Sequence, residues 1–350
     1  MGHDLESSRG RPIRDVDQLE DLLSEPTAGV VEALKRLEGD VLVLGVGGKM
    51  GPTLVRMAKR ASEQAGVARK IFGVSDQFLG DSEARLKAQG IETIQCDLLD
   101  HKQLAKLPEA ANVVYMVGMK FGATGQEPLT WAINSFLPGL VCERFRASRI
   151  AAFSTGNVYP LSPVQRGGAV ETDPVGPVGE YAMSCLGRER IIQHFSQKLG
   201  VRAAIIRLNY AVEMRYGVLV DLATKVFAGR PIDLTMGNAN VIWQGDANAM
   251  VLQALAHAAS PAFVVNVVGP ETVSVHRACE QFGQLMGKEV RFEGTEADSA
   301  LLSNGQLGHR LFGLPRVGVG QMVEWIADWV MRGGESLGKE THFETRDGKF

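Results

Sequence analysis

Val41-Leu-Val-Leu-Gly-Val-Gly-Gly-Lys-Met-Gly51 is the stretch that decides how this chain folds. An aliphatic run, Val41 to Leu44, passes without a polar break into a glycine-rich turn, and the amphipathic stretch Leu54 to Ala65 follows. Strand, turn and helix in this order make a phosphate-binding unit. Gly45 allows the tight turn, Gly48 lets backbone approach a pyrophosphate, and Gly51 lets the helix pack closely on the strand. Glycine-rich turns are common. The position of this one, between a first strand and a first helix, points to a dinucleotide site that also includes Lys49 and Met50.

Outward from this unit, short β-branched runs alternate with longer helical stretches. The runs are Val41 to Leu44, Lys70 to Val74, Ile91 to Cys96, Asn112 to Val117, Arg149 to Phe153 and Arg202 to Leu208, with another strand at Phe263 to Val268. The helical stretches between them, such as Leu129 to Arg146 and Tyr181 to Leu199, are long enough to cross a sheet. The expected class is α/β: a doubly wound parallel sheet (Rossmann fold) with a smaller C-terminal substrate-binding lobe. Residues 1–38 read as an N-terminal helical extension broken at Pro26, disordered over its first dozen residues. Residues 39–208 form the dinucleotide-binding domain, with 241–268 returning to it. Residues 209–240 and 269–331 form the substrate lobe, and 332–350 a tail.

Composition narrows the function classes. The 350 residues are 45% hydrophobic and 22% charged, ordinary for a globular protein with a sizeable core. A net charge of −3 offers no general attraction for nucleic acid or an anionic membrane. The four cysteines are scattered without a CxxC pair and the seven histidines show no ligand spacing, so no metal site is expected. No apolar run suits a signal peptide or a membrane span, which predicts a cytoplasmic protein.

The second strand run is followed by Ser75-Asp76, roughly 25 residues past the glycines, where a side chain meets the adenosine ribose. Asp76 there favours NAD, with NADP as the alternative; Ser75 is the other ribose-facing candidate, and Asp76 reads equally as a turn residue. Asp97-Leu98 after the third run holds the adenine or caps the next helix.

Further residues extend the pattern: Asp97-Leu98-Leu99-Asp100, Asn134, Ser154-Thr155-Gly156-Asn157-Val158-Tyr159, Tyr181 with Ser184, Arg207-Leu208-Asn209, Gly245-Asp246 and Asn266-Val267-Val268-Gly269. In order and spacing, from Asp40 to Val330, the chain resembles the extended short-chain dehydrogenase/reductase family, the NAD-dependent epimerase/dehydratase group. The resemblance implies an NAD(P)-dependent oxidoreductase, epimerase or dehydratase acting on a sugar, sugar acid or nucleotide sugar. It assigns Thr155 and Tyr181 to the reacting oxygen, adds Gly118 and Asn134 to the cofactor set, and places Asn157, Asn209, Glu213 and Trp243 against substrate. Asn209 reads alternatively as a turn residue and Trp243 as core. A homodimer through the fourth and fifth helices is implied too.

The chain departs from the family in two places. Asn240-Val241-Ile242-Trp243-Gln244 stands where many members carry an arginine that clamps the diphosphate, which weakens the case for a nucleotide sugar. The other departure lies beside Tyr181. Four residues past Tyr181, where the family carries the lysine that holds the phenolate and the nicotinamide ribose, stands Cys185. A neutral thiol does neither. Lys120, beyond the fourth strand, and Arg188, two turns along the helix, are the candidate substitutes. Cys185 is either a reactive thiol or a small packed hydrophobe. The loss leaves a second function in view, a non-catalytic NAD(P)-binding sensor or scaffold.

Overall fold

A computed structural model describes residues 12–120 and 125–348. The disorder expected of the first dozen residues falls, apart from Pro12, outside the described residues. Two capped helices lead in: α1 (Val16–Leu23), whose cap Asp15 accepts from Gln18 N, and α2 (Ala28–Arg36), whose cap Thr27 accepts from Val30 N. Seven strands follow: β1 (Val41–Leu44), β2 (Ile71–Ser75), β3 (Glu92–Gln95), β4 (Asn112–Tyr115), β5 (Arg149–Thr155), β6 (Arg202–Leu208) and β7 (Phe263–Val267). They form one parallel sheet in the order β7-β6-β5-β4-β1-β2-β3. Every residue of β1, β2 and β4 is buried, as covering helices on both faces require, and this is why these strands read as unbroken apolar runs.

The sheet reverses direction at β1, which pairs with β2 on one side and β4 on the other. A crevice opens at the carboxyl ends of the strands at such a point. Its walls come from the crossovers: α3 (Gly51–Gln64) after β1; α4 (Ser82–Ala88); α5 (His101–Ala105); α6 (Glu127–Trp131), continuing through a π-helical turn, Ala132–Phe136, into α7 (Leu137–Arg144); and α8 (Glu180–Leu199).

A second core forms from the C-terminal half, where α9 (Val218–Phe227), α11 (Val275–Met286) and α13 (Val319–Met331) pack together. Between these, α10 (Gln244–Ala254) lies against α2 and α3, and α12 (Gln306–Phe312) against β7. Leu19, Leu22 and Leu23 of α1 pack into this second core, while Val30 and Leu34 of α2 pack on the sheet. The N-terminal extension therefore fastens one core to the other.

Residues 332–348, expected as a tail, run back across the second core. Phe343 is buried, Thr341 donates to Asp221 through both N and Oγ1, Lys225 pairs with Glu344 at 2.7 Å, and Arg346 donates to Ser299 O and Oγ. This segment forms part of the crevice wall.

Candidate active site

The glycine turn is built to approach something closely. Gly45 has φ +91°, a conformation glycine adopts without a Cβ penalty. A Cβ at Gly51 would run into the Val46 carbonyl, and one at Gly47 would meet Ser75 Oγ and lie 2.7 Å from Gln77 O. Above Gly48, by contrast, only Gly45 O lies within reach of a Cβ, at 3.5 Å, so this side of the turn faces open space. Helix α3 starts here with its positive end toward the crevice. These residues fit the pyrophosphate of a dinucleotide. Gly47 was not singled out by the spacing argument, because its need for closeness is imposed by β2.

Asp76 is exposed at the end of β2, with Oδ1 accepting from Gln77 N, while Ser75 is buried and donates to Gln77 O at 2.7 Å. Of the two, the carboxylate is the accessible group. Asp97 is exposed and accepts from Leu99 N at 2.9 Å, a turn-forming bond; Leu98 packs in the core. Asn134 is fully buried. Its Oδ1 accepts from Met119 N and its Nδ2 donates to Met119 O and Ser184 Oγ, so it shapes the Gly118–Met119 segment from beneath.

A cavity of about 370 Å³ occupies the crevice, lined by Gly45, Gly48, Lys49 and Met50 on one side and by Thr155, Asn157, Tyr181 and Asn209 on the other, with Gly118 and Lys120 at its edge. Seven turn, strand-end and helix segments thus bring together most of the residues singled out in the sequence. Of the residues expected to act in catalysis or to meet substrate, three do not line the cavity, nor do Gly51, Ser75, Asp76, Asp97, Leu98 and Asn134 of the cofactor set. Trp243 is fully buried, its ring 5.6 Å from that of Trp325, and serves packing. Glu213 is buried and paired with Arg215 Nε at 3.1 Å. Cys185 packs with Val158, Tyr159 and Ala169, and burial pushes its thiol up, so it is a protonated packing residue.

Tyr181 sits at the amino end of α8, and side-chain hydrogen bonds connect its phenol to Thr155 and Cys185. Burial pushes the phenol well above its usual range; Cys185 adds to the rise, and Arg188 opposes it. Tyr181, Cys185 and Arg188 are spaced i, i+4 and i+7 along one helix face, and a helical side chain leans toward the amino end.

Arg188 is 4% exposed. It donates from Nε to Asn134 O at 3.2 Å, from Nη2 to Asn134 Oδ1 at 2.9 Å and from Nη1 to Phe153 O at 2.7 Å. The π-helical turn presents the Asn134 carbonyl and side chain together. All three acceptors are neutral. The guanidinium, always charged, is buried beside Tyr115, Tyr181 and Cys185, which are neutral at pH 7, and within reach of the Glu189 carboxylate's charge. It lines the cavity, and its Nη2 lies 2.8 Å from where a Cβ on Gly118 would be.

Beneath this sits a second buried ion pair. Glu189 accepts from Arg207 Nη2 at 2.7 Å and from Ser154 Oγ at 2.6 Å; Arg207 also donates to Tyr159 OH, which donates to Asn266 Oδ1. The network ties α8 to β5, β6 and β7. Removing one member of a buried pair strands the other, so Glu189→Leu is expected to cost about 3–5 kcal/mol in denaturant unfolding. A cost below about 1 kcal/mol would mean that Tyr159 OH and Glu171 O alone satisfy Arg207.

Several lining residues escaped the sequence reading: Tyr210, Tyr216, Lys339 and Thr341. Tyr210 carries a left-handed φ of +39° directly after Asn209, the kind of strained backbone that gathers at functional sites. Lys339 and Thr341 arrive from the far end of the chain, and no local pattern marks them.

Comparison with known proteins identifies the family and the fold. The family model for the NAD dependent epimerase/dehydratase family matches residues 41–215. Among solved structures, a UDP-glucuronic acid 4-epimerase from Bacillus cereus in complex with NAD superposes with a TM-score of 0.69 at 15% identity, covering 85% of this chain and 99% of its own. A dTDP-glucose 4,6-dehydratase from Bacillus anthracis in complex with NAD gives 0.69 at 14% identity, over 84% and 97%. A UDP-glucose 4-epimerase with UDP-glucose from Thermotoga maritima gives 0.67 at 13%, over 84% and 99%. No curated protein sequence matches the chain.

Proposed function

The chain belongs to the NAD-dependent epimerase/dehydratase family, and from that premise we propose that it is an NAD-dependent enzyme transferring a hydride at a carbinol carbon of a sugar, sugar acid or nucleotide sugar. The observation that carries this reading is the placing of Tyr181, Thr155 and a buried permanent cation, Arg188, against one cavity beside the glycine turn. Bound NAD supplies the hydride acceptor and donor. The turn at residues 45–51 holds its pyrophosphate, and Asp76 meets the adenosine ribose.

In oxidation, the substrate hydroxyl gives its proton to Tyr181 Oη as its carbon loses hydride; in reduction, the phenol returns the proton to the carbonyl oxygen. Thr155 Oγ1 hydrogen-bonds the same oxygen and fixes its place. The missing lysine matters because a phenolate needs a counter-charge. Arg188 provides it from below, and its N–H donors beyond those used by Asn134 and Phe153 would hold the ribose hydroxyls. Lys120 Nζ lies 5.8 Å from the Tyr181 ring centroid and is a second cation on the cavity side. Burial lowers Lys120 to about 8, so its charge, unlike that of Arg188, changes near working pH.

The sensor reading draws no support from Cys185, whose thiol is buried and raised. A homodimer through α6–α8 is supported by exposed Leu129, Trp131, Phe136 and Met183 on these helices. The test of function is the absorbance of reduced nicotinamide in protein supplied with NAD, followed while sugars, sugar acids and nucleotide sugars are added. A redox change with one class supports the enzyme. NAD binding with no redox change on any class would leave the non-catalytic reading.

A further inference from the structure

The cavity wall is cationic to a degree the chain as a whole is not. Its lining includes Lys49, Lys120, Lys339 and Arg188 and no Asp or Glu, against a net charge of −3 for the protein. Arg188 lies at the floor under Tyr181. The three lysines converge on the opposite, substrate-facing side. Lys49 leaves the glycine turn and lays its Nζ 2.8 Å from the centroid of the Tyr216 ring, while Lys120 donates to Thr341 O at 3.3 Å. Lys339 stands two residues before Thr341 on the returning C-terminal segment. Burial lowers Lys49 to about 7, and the lysines are close enough that Lys120 and Lys339 each add to the fall.

Glu213 and Asp221 lie near enough to favour the ammonium forms of Lys49 and, for Asp221, of Lys120, and each also has hydrogen-bond partners of its own. Glu213 is held by Arg215 Nε and N, and Asp221 by Thr341 N and Oγ1. The pyrophosphate does not explain the cluster: its cradle is the backbone of residues 45–51, whereas Lys49 reaches away to Tyr216 and the other two lysines come from β4 and the chain end.

We propose that Lys49, Lys120 and Lys339 bind an anionic group, carboxylate or phosphate, carried by the sugar itself close to its reacting carbon. This deepens the proposed function and rests on it for where the reacting carbon lies. The closeness follows from Lys120, which faces both the cluster and the Tyr181 ring. An anion among the lysines favours their ammonium forms, so binding takes up protons. Lys49 at about 7 and Lys120 at about 8 in the free protein set the window, and affinity falls as pH rises through it. Glu213 and Asp221, both raised by burial, change in the same direction on anion binding, and Tyr181, Tyr216 and Cys185, raised by burial, stay protonated.

The experiment is calorimetric titration of NAD-saturated protein at pH 7 and 8, in two buffers of different ionisation enthalpy. The ligands are a hexuronate, a hexose 6-phosphate, the parent neutral hexose and inorganic phosphate. Preferential binding of the hexuronate identifies a carboxylate site, and of the hexose phosphate a phosphate site; either is accompanied by proton uptake and supports the proposal. Lys120→Met is expected to weaken the preferred ligand by about 10–100-fold and the exposed Lys339→Met by about 2–5-fold. Neutral hexose binding as tightly as its acidic counterparts without proton uptake overturns it, as does binding indifferent to Lys339→Met and Lys120→Met. Inorganic phosphate binding as tightly as either sugar overturns the claim that the anion belongs to a sugar. Because heat and protons are read without turnover, an inactive protein does not obscure the result. Turnover of a neutral sugar leaves the enzyme reading intact while removing this one.

Discussion

Tyr181→Phe is expected to lower hydride transfer by about 10²–10⁴-fold, the range a positioned general acid–base contributes, with dinucleotide binding unchanged. The substitution removes one oxygen and keeps the ring that closes the cavity floor. The free protein holds this phenol protonated, because burial and Cys185 outweigh Arg188 and Thr155. Oxidation of a carbinol, which needs the phenolate, should therefore accelerate with rising pH, and reduction of the corresponding carbonyl should slow over the same interval. Steady-state rates in both directions, with NAD affinity measured separately by fluorescence quenching, check this. Retention of more than about a tenth of the activity would assign proton transfer to another group.

Arg188→Met should produce the second large effect and a more diagnostic one. An opposite charge within a few ångströms lowers an acid by roughly 1–3 pH units, so its loss should move the basic limb of the rate profile upward by a comparable amount. The rate near neutrality should fall by roughly 10–10³-fold as the phenolate becomes scarcer. A purely structural role predicts something else: Asn134 Oδ1 and Phe153 O lose donors, stability drops, and the pH profile of the folded fraction stays where it was. Arg188→Lys keeps the charge while losing the fork that spans Asn134 and Phe153, so it should restore the profile more than the stability. Lys120→Met provides the contrast. If that substitution moves the limb and Arg188→Met does not, the counter-charge comes from the cavity side.

The sheet was legible because its inner strands are buried on both faces. Val41 to Leu44 and Arg202 to Leu208 coincide with β1 and β6, and the remaining strand runs overlap theirs with ends shifted by a residue or two, where hydrogen bonding and not hydropathy sets the limit. The glycine turn, Thr155 and Tyr181 were legible for a related reason: each stands next to a strand end or helix start that the pattern locates. Arg188 was harder. On a helix that also carries the exposed Met183, Arg190 and His194, an arginine reads first as a solvent-facing residue. Only the acceptors presented by Asn134 and Phe153 explain its burial. Trp243 reads the same whether it stacks on a sugar or fills a core, and the answer depends on Trp325, 82 positions away. The contribution of Lys339 and Thr341 was illegible, since a polar, glycine-containing segment gives no sign of packing until Asp221, Arg215 and Lys225 are seen to receive it.

The return of residues 337–348 over the cavity also sets an order of events during synthesis. A nascent chain that has delivered residues through 267 already owns all seven strands and the glycine turn, and the dinucleotide cradle can form while translation continues. The wall bearing Lys339 and Thr341 is added only some eighty residues later, when Gly348 reaches Gly179 and the segment closes against α9. A ribosome-bound intermediate would thus hold the nucleotide before it could discriminate among sugars.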